Sequence, residues 1–392
     1  MTFTVIAAVC VLLLLAYVFD LTSVKTRIPA VILLLTLGWG VRQLTDFAEI
    51  SIPDLAPVLP FFGTIGLILI VLEGSLELEL ERSKLPLVGK SIIGSFLPIL
   101  ALAFTIAFSF TYFSHSSLQI GLVNALPFCI ISSAIAISSV KSLSKTNKEF
   151  IIYESSLSDI FGVLIFNFLV LNDVISFSSF SEFIFQIIIM VLIAFAASLS
   201  LSLMLGRIEH HIKYAPVVIL TILIYAVSEI YHLPALIFIM IFGMFAANLA
   251  EFKNSKWMKK FRPEVLEKEV VKLRELNTEG TFLIRSLFFL MFGFLIETQQ
   301  VINLETLPWA VVIVGLILLF RVIQLLLSRL PLMPLLFIAP RGLITILLFI
   351  SIPPDKQLPF VDKSLIIQVI LISAVVMMVG LIFSSKSSKT EP

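Results

Sequence analysis

The sequence predicts an all-α polytopic membrane protein, about 13 transmembrane helices arranged as two inverted-topology repeats with a discontinuous fifth and twelfth helix. Three observations carry that prediction: composition, the count of apolar runs, and the placement of basic residues. Of 392 residues, 59% are hydrophobic and 14% charged, with a mean hydropathy of +1.10. Soluble domains are nearer about half apolar and about a quarter charged.

Thirteen apolar runs approach the roughly 20 residues that a membrane-crossing helix needs. They are 3–19, 28–44, 58–72, 87–112, 118–140, 150–170, 183–205, 217–230, 234–249, 282–296, 309–327, 335–352 and 365–383. The first run is apolar at once, without a basic flank or a small-residue cleavage site, and is expected to be a span instead of a signal peptide. With thirteen spans the two termini fall on opposite sides. Placing the N-terminus outside puts 21 of the 27 Lys and Arg in cytoplasmic segments and only Arg42, Lys356 and Lys363 outside. That asymmetry obeys the positive-inside rule, so the C-terminus is expected in the cytoplasm. Arg285, Arg321 and Arg341 fall within spans.

The one sizeable loop, 251–279, is cytoplasmic in this topology and reads as a surface connector. Its Trp257, Phe261, Val265 and Leu266 among lysines add interfacial amphipathic character. Cys10 and Cys129 lie far apart in apolar runs and are expected to be buried thiols, not a disulfide or a metal site. The four histidines, His115, His210, His211 and His232, fall in loops or at span ends.

Two spans contain interruptions. The fifth holds Ser132-Ser133-Ala134-Ile135-Ala136-Ile137-Ser138-Ser139, and the twelfth holds Ala339-Pro340-Arg341-Gly342. Each is fifth in a block of six, and matched interruptions of this kind point to an inverted-repeat transporter with its site at the crossing. Backbone freed at that depth is tolerated only where it is buried in protein or lines a cavity.

The sixth span, 150–170, carries Glu154 and Asp159 with Ser155, Ser156 and Ser158. Carboxylates inside a membrane are costly and mark ion or proton paths. Ser155 and Asp159, four apart, share a helix face. Glu154 lies about 7.5 Å nearer the cytoplasm and points about 140° away, so the two acids are expected to have separate jobs. Counting rise from the nearest cytoplasmic charges puts Glu154 about 9 Å deep, Arg321 about 12 Å, Asp159 about 16 Å and Arg341 about 18 Å. Glu154 and Arg321 therefore match as a fixed structural bridge, since arginine stays charged. Asp159 is left without a permanent counter-charge and can hold one proton or one monovalent cation in turn. Arg285 is expected to pair with Glu279 or to reach toward the interface. Asn167 and Asn172 lie toward the outside, where they could line an exit.

In this order, the polar fifth span, Glu154-Ser155-x-x-x-Asp159, the eleventh-span Arg321 and Arg341-Gly342 resemble the monovalent cation/proton antiporter superfamily, the sodium/proton exchangers. The resemblance covers nearly the whole chain. It implies that Asp159 binds cation and proton alternately, that Ser155 is a ligand of the monovalent cation, that Ser132 occupies a ligand position and that Glu154 partners Arg321. Ser158, Ser133 and Arg341 would be supporting residues. It further implies one transporter domain over 1–392, working as a homodimer by an elevator-like movement. The ion-translocating core would comprise about 85–170 and 308–383, the dimerisation part about 1–72 and 215–297, and the linking helix 183–205.

Two departures stand out. Ser158 replaces the family's Asn or Asp, and Ser133 replaces a fifth-span Asp, closer to the potassium-efflux branch. With a single carboxylate at this level, the reading is electroneutral exchange of Na⁺, with K⁺ or Li⁺ as alternatives, for H⁺. Such a protein would serve pH homeostasis in a bacterial inner (plasma) membrane, with membrane lipid as surroundings, no cofactor and no nucleic acid. A K⁺/H⁺ efflux antiporter and a passive cation channel or uniporter on the same scaffold are the competing readings. A membrane-embedded enzyme is disfavoured: neither Gly-x-Gly-Asp nor His-Glu-x-x-His occurs, and the aspartates are scattered.

Overall fold

Prolines and small polar residues punctuate this apolar chain, and the helices begin where they stand. Pro60, Pro86 and Pro308 each occupy the first turn of a helix, where a missing backbone N–H costs nothing. The computed structural model describes residues 2–26, 28–50, 52–78, 84–140, 143–207, 214–248 and 263–387. The described residues are helical and contain no strands.

Four helices open the chain: α1 (Thr2–Thr26), α2 (Ala30–Phe47), α3 (Leu59–Glu77) and α4 (Leu85–Ser114). The fifth span is broken into α5 (Leu118–Ala125), a 3₁₀ turn at Leu126–Phe128, a non-helical stretch at 129–132 and α6 (Ser133–Ser139). The middle of the chain forms α7 (Lys145–Leu171), α8 (Phe177–Arg207), α9 (Tyr214–Ile230), α10 (Ala235–Ala247) and α11 (Pro263–Leu295). A single turn, α12 (Thr298–Val301), precedes α13 (Leu307–Leu327). The twelfth span is also broken, with a 3₁₀ turn at Leu335–Phe337, a non-helical stretch at 338–342 and α14 (Leu343–Ile350) before α15 (Lys363–Ser387). Among the described residues, ten of these stretches are long and apolar enough to cross a membrane, α9 and α10 are shorter apolar helices, and the broken twelfth completes thirteen.

The helices pack in two groups. α11 lies along α2 and α3, while α10 packs on α3 and α8. Separately, α4 packs on α5, α7 and α13, and α13 on α15. The groups meet along α3, which touches α6, α7 and α14. Leu347 of α14 fills the space a side chain at Gly63 would need, and Ser156 of α7 does the same at Gly74. On the far side of the second group, Asn124 donates to the Lys356 carbonyl at 2.7 Å, and the Lys356 ammonium donates to the Val170 carbonyl at 2.9 Å. A cation there complements the negative end of α7.

Two sequence-based expectations need correction. The segment before residue 282 is not a surface connector throughout: from Pro263 it is the first half of α11. Leu266, Val270 and Leu273 are buried along one face of that helix. The charged opposite face lowers the average hydropathy, which is why an apolar-run count starts the span too late. Trp257 and Phe261 lie outside the described residues, as do His210 and His211. Cys10 is exposed on α1, whereas Cys129 is buried, and both are free thiols. An apolar run does not distinguish a helix facing lipid from one facing protein, and α1 is hardly buried.

Candidate ion site at the crossing of the broken spans

The two broken spans satisfy one another. The Ser132 N–H donates to the Pro340 carbonyl at 2.9 Å, tying the fifth span to the twelfth at the point where both lose helical bonds. Gly342 is required there by close approach: a Cβ would lie 2.7 Å from Ile135 Cδ1 and 2.8 Å from Ser132 Oγ. Arg341, only 2% exposed, donates through its guanidinium to the carbonyls of Phe128, Cys129 and Ala339. A single cation thereby partners backbone carbonyls at both breaks. Its own N–H donates to Ser373 Oγ of α15 at 3.1 Å. Ser158 of α7 accepts the N–H of Ile131 at 2.9 Å, supplying another partner inside the break.

Asp159 lies against this crossing. The carboxylate is 1% exposed, and Oδ2 accepts a hydrogen bond from Ser133 Oγ in the first turn of α6. Oδ1 is buried without a hydrogen-bond partner, and so is Ser132 Oγ in the preceding residue. The Asp159 carboxylate and the Ser132 and Ser133 hydroxyls are oxygen donors of the kind hard cations take. The structure thus brings Asp159 and Ser133 into contact, with Ser132 one residue away. Ser155 is buried on the same helix but donates to the Ile151 carbonyl at 2.7 Å, along its own helix, and makes no hydrogen bond to Asp159.

Glu154 occupies a separate place. It is fully buried, and Oε1 accepts from both Arg321 and Gln324 of α13. Arg321 also donates to Gln324 Oε1 at 3.0 Å and to the Leu335 carbonyl at 3.1 Å, and its guanidinium stands 6.0 Å from the centre of the Phe150 ring. The depth-matched pair therefore meets, and Gln324 is the member that sequence reasoning missed. Its signal is only a neutral polar residue three positions after Arg321 in an otherwise apolar run. Between this group and the crossing lies a cavity of about 20 Å³, lined among others by Ser158, Cys129, Arg321 and Arg341. It has room for about one water molecule.

Arg285 differs from expectation. Instead of pairing with Glu279 or reaching outward, it extends from α11 toward Asp20 of α1, 3.9 Å away, and toward the Ala134 carbonyl of α6 at 3.5 Å. Pairing between helices distant in sequence is decided by tertiary packing, which span-by-span reading does not see. Asn172 donates to the Phe168 carbonyl of its own helix at 2.9 Å and is engaged locally.

The same architecture is found among solved structures. A structure of the sodium proton antiporter MjNhaP1 from Methanocaldococcus jannaschii at pH 8 superposes with a TM-score of 0.64 at 18% identity, covering 98% of this chain and 97% of that one. An electron-microscopy map of the same antiporter gives a TM-score of 0.67 at 18% identity, covering 99% and 97%. No curated protein sequence matches the chain. The family model described as "Sodium/hydrogen exchanger, transmembrane" matches residues 9–385. With nearly its whole length matched and its fold shared with an antiporter, this integral membrane protein belongs to the sodium/hydrogen exchanger family.

Proposed function

We propose that the chain is a secondary antiporter exchanging Na⁺, with K⁺ or Li⁺ as alternatives, for H⁺, and that Asp159 carries cation and proton in turn. The observation that carries this reading is the half-engaged carboxylate. Ser133 holds Oδ2, while Oδ1 and the neighbouring Ser132 Oγ are buried and unpartnered at the crossing of two broken helices. A cation bound there is held by ionised Asp159, Ser132 and Ser133. A proton arriving on Oδ1 neutralises the carboxylate and releases the cation. Ser155 stays a candidate ligand only if its hydroxyl turns its oxygen toward the ion.

With one carboxylate at this level and hydroxyls at Ser133 and Ser158, either load leaves the site with the same net charge. Exchange is then one for one and electroneutral. Glu154 is a scaffold acid in this reading, held by Arg321 and Gln324. The group built on α4, α5, α7, α13 and α15 acts as the moving core, α1–α3 and α9–α11 as the dimerisation part, and α8 as the linking helix. The split in packing along α3 supports that division. The protein works as a homodimer in a bacterial plasma membrane, N-terminus outside and C-terminus in the cytoplasm, the orientation that the basic residues favour.

The test is a proteoliposome assay with an internal pH dye, pulsing Na⁺, K⁺ and Li⁺ in turn. Wild-type protein gives a cation-driven pH change that Asp159→Asn abolishes. Undiminished exchange in the variant would overturn the mechanism. A response to K⁺ alone would assign the efflux reading, and cation flux without any proton response the passive one.

A further inference from the structure

Arg285 is a charged side chain that joins the two helix groups beside the ion site, and the mechanism above makes no use of it. Its Nη1 lies 3.5 Å from the Ala134 carbonyl, at the outer limit of a hydrogen bond. Its Nη2 lies 3.9 Å from Asp20 Oδ1, at the outer limit of an ion pair. Neither contact is tight, so the guanidinium is stretched between an acid on α1 and the first turn of α6. Both side chains are largely buried, Arg285 at 16% and Asp20 at 23% exposed, so their charges are poorly screened. Ala134 follows directly on Ser133, whose hydroxyl holds Asp159. Arginine cannot shed its charge, so only its position can change what the site feels.

We propose that Arg285 is a positioning residue that sets cation affinity at Asp159, with Asp20 as the counter-charge drawing it back from the site. This rests on Asp159 being the exchanging carboxylate. Leaning toward Ala134, the guanidinium opposes an arriving cation. Leaning toward Asp20, it is neutralised and the opposition falls. Because α6 and α11 belong to different packing groups, the contact also changes whenever one group slides on the other.

The test reads apparent KM for the driving cation in proteoliposomes at alkaline pH, where protons compete least. Arg285→Gln is expected to lower KM by about three- to tenfold with turnover little changed. Arg285→Lys should return it toward the wild-type value. Asp20→Asn is expected to raise KM by a similar factor, and Asp20→Asn combined with Arg285→Gln to follow Arg285→Gln alone. Unchanged KM in both single variants, or a loss of thermal stability with KM untouched, overturns the proposal. Should Arg285→Gln fail to fold, Asp20→Asn decides alone: a raised KM supports the proposal and an unchanged one refutes it. Asp159→Asn tests the underlying reading separately, since it removes exchange whatever Arg285 does.

Discussion

Ser158 accepts the backbone N–H of Ile131 at 2.9 Å, reaching from the intact sixth span into the gap of the broken fifth. Both residues are buried, and without the Ser158 hydroxyl the N–H loses its partner in the protein. Ser158→Ala is therefore expected to cost about 1–3 kcal/mol, the range for a buried donor left unsatisfied. Thermal unfolding in detergent checks it, and a variant as stable as wild type would show that the break is satisfied some other way.

Glu154 and Arg321 form a buried pair in which either partner alone is an uncompensated charge. Glu154→Gln and Arg321→Gln are each expected to destabilise the protein by about 3–5 kcal/mol. The measurement is the same unfolding midpoint, with exchange assayed on whatever folded fraction remains. Full stability in either single variant contradicts the structural role.

Gly342→Ala places a methyl group between Ile135 and Ser132, at distances no ordinary Cβ contact reaches. Separating the two broken spans enough to admit it should cost about 1–3 kcal/mol. It should also loosen the Ser132–Pro340 hydrogen bond, which hydrogen exchange at that amide would report.

Ser133→Ala removes the hydroxyl that donates to Asp159. Hydrogen bonds to a charged group are worth about 1.5–3 kcal/mol, so the ionised carboxylate loses that support. Cations then compete less well with protons, and the apparent KM at neutral pH should rise at least about tenfold. Titrating the driving cation in proteoliposomes tests this, and an unchanged KM would place Ser133 outside the site.

The span count, the two interruptions and the Glu154–Arg321 pair were legible because hydropathy and helical rise are one-dimensional quantities. What escaped depends on which faces meet. Gln324 carries no charge to draw attention, and Ser158, singled out by the resemblance, gives no hint in sequence that its partner is the Ile131 N–H. Asp20 and Arg285 sit on the first and tenth spans, and nothing in either run announces the other. The early start of α11 was hidden by its own charged face, and the exposure of Cys10 by the likeness of lipid to protein interior. Ser155 shows the converse limit: a shared helical face with Asp159 was read correctly, yet its hydroxyl is spent on Ile151.

The two notches on α3 have a mechanical consequence. Gly63 and Gly74 are 11 residues apart, about three turns, so they lie on one face of the helix some 16 Å from each other. Leu347 seats in one and Ser156 in the other, both belonging to the group that carries Asp159. A slide of that group along α3 would unseat both side chains together. In the antiport proposed above, such paired seats would favour discrete positions of the moving group over intermediate ones.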